Sequence, residues 1–559
     1  MLHARPSFIY SLLLAFAILS VNYWWQRATP QILVDALSDH LSCVSYAPFY
    51  RSFENPFDKT TYIDAARIDA DLKKLSERFD CVRTYSVSQG LHVVPELAQK
   101  HGMKTLMGIW IGRNTVENER ELTKGIDTAK RNHSSLRGIV VGNEVLLRGE
   151  QPTQKLKEII ARVRNSVHEV PVTYADVWEF WLKNAELKEV VDFATIHILP
   201  YWEDRPIPVE HAVGHVSHIF HYVQDQLKGK PVMIGETGWP SYGRQRLGAV
   251  PGLIEEARFI REFQVRAQLE SIPYNVIEAF DQGWKRKSEG AVGGYWGIFD
   301  RLGNVKFPFK GRVAEAPIWT WAALGISGAL FSLFIVSWSP LRSRSETLLF
   351  LAISLIGGAS MSAFWRDLWM ANRSALEWSY TLPYALIQLL VILGVGGLLA
   401  GWCSRRRSPP LIAPMSAVIK WARRNERVYD PIGLSLGCLR FFILLGAAIV
   451  TTLLVFDPRY RDFPCALYGF PALGFGLLSW IQVRIRSEIE ENVLALWIAI
   501  GGIWAFVSEH LLTPPDTAWS FSESINGTAL LWLLISLSLA GSVLVPLVTK
   551  KRTRQYEYS

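Results

Sequence analysis

Two glutamates follow glycine-containing apolar segments and could form a catalytic carboxyl pair. Glu144 ends the run Val-Val-Gly-Asn-Glu, and Glu236 ends Ile-Gly-Glu before Thr-Gly-Trp-Pro-Ser. Glycosidic bond cleavage uses one carboxyl group to protonate the leaving oxygen, and a retaining mechanism uses a second as nucleophile about 5–5.5 Å away. The glycine in front of each motif would let a substrate approach the backbone closely. We therefore expect sugar chemistry at Glu144 and Glu236, with no metal and no cofactor.

Further polar and aromatic residues come at the ends of neighbouring apolar segments. The candidates for substrate contact are Arg83, Tyr85, Trp110, Asn143, Tyr201, Trp239, Glu278, Asp281, Lys285 and Trp296. Aromatic rings offer flat faces for sugar rings, although packing in the core is an equal alternative for Trp110 and Trp296. A structural ion pair with Arg83 or Lys285 is the alternative for the two acidic residues. His197 is best interpreted as a hydrogen-bonded core residue.

Eight short β-rich segments alternate with amphipathic stretches and would position these residues. The segments are Leu41–Tyr46, Cys81–Tyr85, Lys104–Trp110, Leu136–Gly142, Val170–Tyr174, Val191–Ile198, Pro231–Gly235 and Asn275–Phe280. This alternation predicts an α/β fold with a parallel sheet, and eight units predict a (β/α)₈ TIM barrel. An open doubly wound sheet is the alternative, but no Gly-rich phosphate-binding loop follows any segment. In a barrel the fourth and seventh strands face each other across the mouth, so Glu144 and Glu236 could contact one sugar ring.

The two glutamate motifs resemble glycoside hydrolase family 17. Gly-Asn-Glu-Val ending at 145 and Ile-Gly-Glu-Thr-Gly-Trp-Pro-Ser ending at 241 carry this resemblance. The run 277–285, Ile-Glu-Ala-Phe-Asp-Gln-Gly-Trp-Lys, and the later Tyr-Trp-Gly-Ile-Phe-Asp ending at 300 are similar to the family's fungal cell-wall members. The similarity covers residues 40–310. It implies a β-1,3-glucanase or glucanosyltransferase with retaining chemistry on a (β/α)₈ barrel.

The resemblance also implies roles for individual residues. Glu144 would be the general acid/base, Glu236 the nucleophile, and Asn143 a hydrogen-bonding partner of the sugar 2-hydroxyl. The family's plant members have Asn-x-Tyr-Pro-Tyr where this chain has His-Ile-Leu-Pro-Tyr, from His197 to Tyr201. The substrate contacts of this segment are therefore left open.

Apolar runs of membrane-spanning length lie on both sides of this region. One covers about 8–25, and seven more cover about 317–338, 347–365, 381–402, 437–456, 465–483, 492–508 and 528–548. The loops and tail on one side hold 15 Lys and Arg residues, against four on the other: Arg366, Arg373, Arg459 and Arg461. The positive-inside rule then predicts both termini in the cytoplasm and residues 30–315 outside it, which in a bacterium means an inner-membrane protein with a periplasmic domain. We expect an N-terminal membrane anchor at 1–29, a periplasmic glucan-active domain at 30–315, and a seven-span domain with a basic tail at 316–559.

The net charge of +8 does not indicate nucleic-acid binding. Many of the basic residues lie in loops between apolar runs, where they serve membrane orientation. The five cysteines form no CxxC pair. Two buried thiols are the preferred interpretation of Cys43 and Cys81, with a disulfide as the alternative in an oxidising compartment.

The triplet Asp69-Ala-Asp71 could imitate the metal-binding motif of enzymes that use sugar nucleotides. It lies inside an amphipathic helical pattern, so we predict a solvated helix face instead. The longest predicted cytoplasmic loop, 403–436, is too short for a sugar-nucleotide domain. Direct synthesis from a nucleotide sugar is therefore not expected.

The motifs do not distinguish transfer from hydrolysis, because water or a sugar hydroxyl can resolve the same covalent intermediate. Attachment to a membrane favours work on glucan emerging there, and the layout resembles membrane-bound proteobacterial proteins implicated in periplasmic β-1,3/β-1,6-glucan synthesis. We predict a transglycosylase that elongates, β-1,6-branches or cyclises β-1,3-glucan. A membrane-bound β-1,3-glucanase and a glucan exporter with a glucan-binding barrel are the alternatives. The expected partners are β-glucan, the lipid bilayer and a membrane glucan synthase.

Overall fold

The chain divides into two compact units, Gln31–Val313 and a second unit made of Met1–Pro30 with Ala314–Ser559. The computed structural model describes residues 6–337, 344–403, 411–424, 429–457, 461–481, 488–511 and 525–556. Each unit has its own buried apolar cluster. Several residues in the charge count lie outside the described ranges: Arg342, Arg405, Arg406, Arg407, Arg427, Arg459, Arg484 and Arg486.

The unit Gln31–Val313 is built on a curled sheet of seven parallel strands. They are β1 (Val44–Ser45), β2 (Cys81–Arg83), β3 (Lys104–Ile109), β4 (Leu136–Asn143), β5 (Val172–Val177), β6 (Ala194–His197) and β7 (Val232–Glu236). Each strand pairs in parallel with the next one along the chain, so the order in the sheet is the order in the sequence. This is the strand order of a TIM barrel.

The predicted eighth strand is only a short bridging segment. Tyr274 pairs in parallel with Ile234 of β7, and Val276 pairs in parallel with Val44 of β1. The backbone N–H of Val276 donates to the carbonyl of Cys43 at 2.9 Å, and that of Ser45 donates to the carbonyl of Val276 at 2.9 Å. The segment thus connects β7 to β1 and closes the ring, but without the full length predicted for Asn275–Phe280.

Helices cover the outside of this sheet. They are Ala65–Leu75, Val94–Lys100, Thr115–Asn132, Thr153–Ser166, Trp178–Lys183, Val209–Gln226, Leu253–Leu269 and Arg286–Glu289, with 3₁₀ turns at Leu91–Val93, His133–Ser135, Ala185–Glu189, Gly283–Lys285 and Ala291–Gly294. The side chain of Asn114 accepts hydrogen bonds from the backbone N–H groups of Val116 and Glu117, which starts one helix in the usual capped way. In the longer helices buried residues recur at helical spacing, so each of these packs one apolar face on the sheet, whereas Arg286–Glu289 buries no residue.

Asp71 corrects the prediction of a solvated helix face. Asp69 is at the surface, where Lys100 donates to it at 2.9 Å. Asp71 is buried and accepts hydrogen bonds from the hydroxyl groups of Tyr46 and Tyr50 at 2.9 and 2.7 Å. The helical pattern was right, but the face carrying Asp71 packs against the segment that follows β1.

Cys43 and Cys81 form a disulfide. The preferred interpretation as two separate thiols is therefore wrong. Cys43 directly precedes β1 and Cys81 begins β2, and the pairing of these neighbouring strands brings the two Cα atoms to 4.4 Å. That distance is within the range that a disulfide can bridge.

The second unit consists of helices. They are Pro6–Ala28, Pro317–Ser337, Arg344–Ala371, Ala375–Cys403, Met415–Arg424, Pro431–Phe456, Cys465–Ile481, Ile489–Leu511 and Gly527–Tyr556. Among the described residues, seven helices are long and apolar enough to cross a membrane, and Cys465–Ile481 is a shorter apolar helix of 17 residues. The sequence predicted eight spans. Seven of them correspond to the long helices, and the span predicted at 465–483 corresponds to the shorter helix.

Two arginines that we had counted in loops have other environments. Arg366 lies inside the helix Arg344–Ala371 and pairs with Glu315 at 3.1 Å. Arg461 is buried and pairs with Glu509 at 3.2 Å. Removing Arg366 from the loop count would increase the charge asymmetry, because it was counted on the side with few basic residues.

Candidate active site

The end of β4 places Glu144 at the mouth of the barrel. Gly142 and Glu144 have φ angles of 82° and 52°, in the left-handed region that residues other than glycine rarely adopt. The chain then turns, and the backbone N–H of Arg148 donates to the carbonyl of Glu144 at 3.0 Å. The side chain of Glu144 is 22% exposed, against 6% for that of Glu236. An unusual backbone conformation at a partly exposed carboxylate is typical of a functional position.

Glu236 ends β7 and is held by β2. The guanidinium Nη1 of Arg83 and the hydroxyl of Tyr85 each lie 2.8 Å from Oε1 of Glu236. Arg83 also donates to the carbonyl of Gly235 and to the side-chain oxygen of Asn143. Because Arg83 is completely buried, it positions these groups rather than touching substrate, which corrects its predicted role. Tyr85 remains partly exposed beside the carboxylate.

The surroundings of Glu236 favour its ionised form. Burial raises the pKa of this carboxyl, but His197, Arg83 and Lys285 outweigh that effect and hold the pKa below its ordinary value. The hydrogen bond from Tyr85 acts in the same direction. An ionised carboxylate is the form in which a glutamate acts as a nucleophile.

His197 lies between the two carboxylates. It is the β6 residue paired with Glu236 in the sheet register, with Nε2 at 3.7 Å from Oε1 of Glu236. Its Nδ1 lies 3.0 Å from Oε1 of Glu144. The expectation of a buried, hydrogen-bonded histidine is correct, but the sequence did not indicate that its partner would be Glu144.

Gly235 makes room for β6 and not for a substrate. A Cβ atom at this position would collide with the side chain of Thr195 and would lie 3.1 Å from the His197 ring. Our explanation of this glycine by substrate approach was therefore wrong. Its absence of a side chain allows His197 to lie beside Glu236.

Three ligand atoms, one each from Glu144, His197 and Glu236, lie within 4.8 Å of one another and could in principle hold a metal ion. The guanidinium of Arg83, 2.8 Å from Glu236, already supplies a positive charge at this place and would repel a cation. The expectation of a metal-free reaction therefore stays a prediction.

Glu278 forms the ion pair with Lys285 that was the alternative to substrate binding, and Asp281 pairs with a lysine that the alternative did not include. Glu278 pairs with Lys285 at 2.8 Å, and burial raises its pKa to about 7 although Lys285 opposes this. Asp281 pairs with Lys306 at 3.1 Å and accepts from the backbone of Gly297. Burial raises the pKa of Asp281 to about 6. Asp281 thus joins the loop of Gly297 to Lys306. Lys285 also lowers the pKa of Glu236.

Three aromatic residues predicted to contact substrate are packed beneath the site. Tyr201, Trp239 and Trp296 are almost fully buried, and the Tyr201 ring lies edge-on to both indoles at 6.1 and 6.0 Å between centroids. A side chain with no accessible surface cannot stack on a sugar, so these are packing residues. Trp202, which the sequence did not single out, is half-buried and stacks on Trp296.

Trp110 remains partly exposed at the mouth, beside an arginine that was not among the predicted site residues. The guanidinium of Arg148 lies 4.5 Å from the centre of the Trp110 ring. Its Nη1 is 3.8 Å from Oε2 of Glu144, and its Nη2 pairs with Glu150 at 2.8 Å. The spacing of four residues from Glu144, directly after a strand end, was the available signal for Arg148.

Residues 43–297 match the protein family described as the BtgE/BtgC glycoside hydrolase domain. The chain carries a glycoside hydrolase domain. This confirms the resemblance to glycoside hydrolase family 17 that the two glutamate motifs had indicated. The matched residues include both glutamates and the whole curled sheet.

The glycoside hydrolase domain is similar to several fungal proteins. One is a glucan endo-1,3-beta-glucosidase, btgC, of Emericella nidulans, 26% identical over 273 residues, which cover 43% of this chain and 41% of the relative. Another is a glucan 1,3-beta-glucosidase of Arthroderma benhamiae, 25% identical, with 44% of this chain and 84% of the relative covered. A solved family 17 beta-1,3-glucanosyltransferase of Rhizomucor miehei aligns at 24% identity and a TM-score of 0.43, covering 48% of this chain and 97% of that one. The chain thus spans less than half the length of the first of these curated relatives.

Proposed function

We propose that this chain is a retaining β-1,3-glucan glucanosyltransferase, with Glu236 as nucleophile and Glu144 as general acid/base. The single observation that carries the proposal is the distance between the two carboxylates: a side-chain oxygen of Glu144 lies within 4.8 Å of a side-chain oxygen of Glu236. Retaining enzymes hold their carboxyl groups about 5–5.5 Å apart, whereas inverting enzymes leave about 6.5–9.5 Å for a water molecule. The substrate class is supported by the glucan-cleaving activities for which the fungal relatives are named.

In the first step the Glu236 carboxylate attacks the anomeric carbon of a glucosyl unit. The glycosidic carbon–oxygen bond breaks, a glycosyl ester forms, and the Glu144 carboxylic acid gives its proton to the leaving oxygen. The low pKa of Glu236 keeps the attacking group ionised. Arg83 and Tyr85 hold that group in place from β2.

In the second step an acceptor hydroxyl displaces Glu236 from the anomeric carbon. Glu144, now a carboxylate, takes the hydroxyl proton, and a new glycosidic bond forms with the original configuration. Water in place of the sugar would give hydrolysis from the same residues. Trp110 and Arg148, beside the outer oxygen of Glu144, provide an aromatic and hydrogen-bonding surface for a sugar acceptor.

The proposal places the reaction in the periplasm, on glucan made at the same membrane. The seven candidate spans support membrane attachment. The Cys43–Cys81 disulfide supports an oxidising compartment for the barrel. Alkaline phosphatase fused after residue 315 should then be active in a bacterial host. An inactive fusion there, together with activity after residue 425, would contradict this orientation.

The decisive experiment uses the full-length chain in detergent micelles with β-1,3-gluco-oligosaccharides of defined length. We expect products longer than the donor, and the new linkages can be identified by NMR. Only shorter products at high donor concentration would support the alternative of a β-1,3-glucanase. Linkage analysis also distinguishes elongation from β-1,6 branching and cyclisation.

Glucan export with a glucan-binding barrel is the second candidate. It is favoured by the buried ion pair between Arg440 and Glu491 at 2.7 Å, because both residues lie in candidate spans and ionisable residues inside spans often mark a transport route. Under this alternative the double variant Arg440→Leu/Glu491→Leu would lose glucan release from cells while the enzyme keeps full transferase activity in detergent. Unchanged release with an intact fold would count against export.

A further inference from the structure

A group of exposed aromatic side chains lies on the loop that follows β1. We call residues 47–62 the aromatic loop. Phe53 is 80% exposed, Phe57 is 68% exposed and Tyr62 is 67% exposed. Contiguous exposed apolar surface on a globular domain usually marks a binding site.

The aromatic loop is held in a fixed shape by buried polar contacts. The buried guanidinium of Arg67 forms an ion pair with Glu54 and donates to the carbonyl of Pro48 at 2.7 Å. Asp71 accepts from Tyr50 at 2.7 Å. Because a loop held by buried charges loses conformational freedom on folding, its exposed rings are already in place before anything binds.

The outer part of the loop is tied down as well. The side chain of Asn55 accepts from the backbone N–H of Phe57 at 2.9 Å, and Lys59 pairs with Glu117 at 2.8 Å. Gln89 donates to the backbone carbonyl of Asp58 at 2.9 Å. Contacts with the segment after β2 and with the helix Thr115–Asn132 therefore hold the backbone on both sides of Phe57.

Side-chain contacts lead from the aromatic loop towards the nucleophile side of the site. The Phe57 ring lies edge-on to Trp284, with 5.5 Å between centroids. Trp284 directly precedes Lys285, which pairs with Glu278 and lies close to Glu236. The Lys285 ammonium lies 5.9 Å from the centre of the Trp284 ring, so neighbouring side chains run from Phe57 through Trp284 to Lys285, whose charge lowers the pKa of Glu236. Arg148 and Trp110 lie beside the other catalytic residue, Glu144.

We propose that Phe53, Phe57 and Trp284 form a binding surface for the donor β-1,3-glucan, holding sugar units beyond the one that reacts. This inference rests on the proposed function. The donor is the part of the substrate that becomes bonded to Glu236, so its remaining sugars extend from the nucleophile side. Glucose rings present apolar C–H faces, which aromatic side chains cover well.

The charges of the aromatic loop favour a glucan over a lipid surface. Arg51, Glu54, Asp58 and Lys59 alternate with the exposed rings. Both signs are present, and inserting these groups together with the rings into a lipid layer would desolvate them. A hydrated polysaccharide allows the charges to keep their water while the rings are covered.

The test measures binding by the full-length chain in detergent, in a Glu236→Gln background that cannot turn over. Calorimetry with β-1,3-gluco-oligosaccharides of three to eight units gives affinity against length. For the longer oligosaccharides we expect Phe57→Ala and Phe53→Ala to weaken binding about fivefold to tenfold each, as truncation of an aromatic anchor usually does. Binding of the shortest one should be unchanged, and Phe57→Trp should keep the affinity.

Leu269→Ala is the matched control, because Leu269 is also a large exposed apolar residue, 75% exposed, at the end of the helix that follows β7. Equal affinities of the Phe variants and their parent for every length would overturn the proposal. The proposal would also be overturned if the Phe variants bound glucan normally but bound less well to vesicles of phosphatidylethanolamine and phosphatidylglycerol. A wild-type chain that neither cleaves nor transfers, with length-dependent binding that still needs Phe57, would reject the proposed function and leave this surface established.

Discussion

His197 Nδ1 lies 3.0 Å from the Oε1 atom of Glu144, and Nε2 of the same ring lies 3.7 Å from Oε1 of Glu236. The contact joins β6 to the end of β4, where Glu144 has a positive φ angle. A hydrogen bond from a buried ring fixes the direction of a carboxylate that is otherwise partly free in solvent. His197 therefore acts as a positioning residue for the proton transfer.

We expect His197→Asn to lower kcat by about tenfold to 100-fold, since general acid/base catalysis depends on placement of the proton donor. KM for the donor should change little, because His197 is buried behind the carboxylates. Loss of the imidazole should also raise the pKa of Glu236, which His197 holds down. Steady-state kinetics over a range of pH would show both effects. A change in KM alone would contradict a positioning role.

Arg83 should set the acidic side of the pH profile. Its charge lowers the pKa of Glu236, and activity requires the ionised nucleophile, so kcat/KM falls as pH drops through that pKa. In Arg83→Met the pKa of Glu236 rises, and the acidic limb should move to higher pH. Arg83→Lys keeps the charge and is the matched control. An unmoved limb in Arg83→Met, with circular dichroism unchanged, would show that Glu236 is not the titrating group.

The two glutamates can be distinguished by chemical rescue with azide. Glu236→Ala and Glu144→Ala should each lower activity by roughly 10³-fold or more. In Glu144→Ala, azide attacks the glycosyl ester and gives a β-glycosyl azide, because two displacements retain configuration. In Glu236→Ala, azide displaces the leaving group directly and gives the α product. NMR of the products identifies the anomer of each glycosyl azide. An α product from Glu144→Ala and a β product from Glu236→Ala would mean that the two glutamates have the opposite roles.

Arg148 should control the choice between transfer and hydrolysis. Its guanidinium lies between the Trp110 ring and the outer oxygen of Glu144, where an acceptor sugar would bind. We expect Arg148→Ala to lower the ratio of transfer to hydrolysis by about tenfold, the cost of losing about 1.4 kcal/mol of acceptor binding. Arg113→Ala, at an exposed arginine nearby, is the control. Equal ratios of transfer to hydrolysis in Arg148→Ala and the parent would contradict a role of Arg148 in acceptor binding.

A buried carboxyl pair should make the barrel less stable at alkaline pH. Lys306 lies 2.9 Å from Glu256 and 3.1 Å from Asp281, and one lysine neutralises only one of them. Burial raises the pKa of Glu256 from 4.5 to about 8, so the folded state keeps a proton that the unfolded state has already released. The free energy of unfolding therefore falls as pH rises from about 4.5 to about 8.

Glu256→Gln should flatten that dependence, because the amide cannot ionise. Thermal unfolding followed by tryptophan fluorescence at several pH values between 5 and 9 would compare the variant with its parent. The midpoint temperatures of unfolding should be similar near pH 5. Near pH 9 the variant should have the higher midpoint temperature. Parallel curves would show that Glu256 does not titrate in this range.

The sequence by itself determined the chemical class and the architecture. Short β segments alternating with amphipathic helices are a local pattern, and local patterns are enough to predict a parallel barrel. Glu144 and Glu236 lie at strand ends in distinctive motifs, so their meeting at the mouth followed from strand order. The long apolar runs were equally local, and seven of the eight predicted spans correspond to helices of sufficient length.

Only the tertiary structure decided which side chains touch. Tyr201 and Trp239 follow strand ends, yet the Tyr201 ring packs against Trp239 and against Trp296 from a later loop. Arg83 and His197 could not be assigned because their partners lie on strands far away in the sequence. Whether a polar side chain meets substrate or a buried carboxylate depends on register and on the direction of each strand end. Those are set by packing across the whole barrel, which the local composition of one segment does not specify.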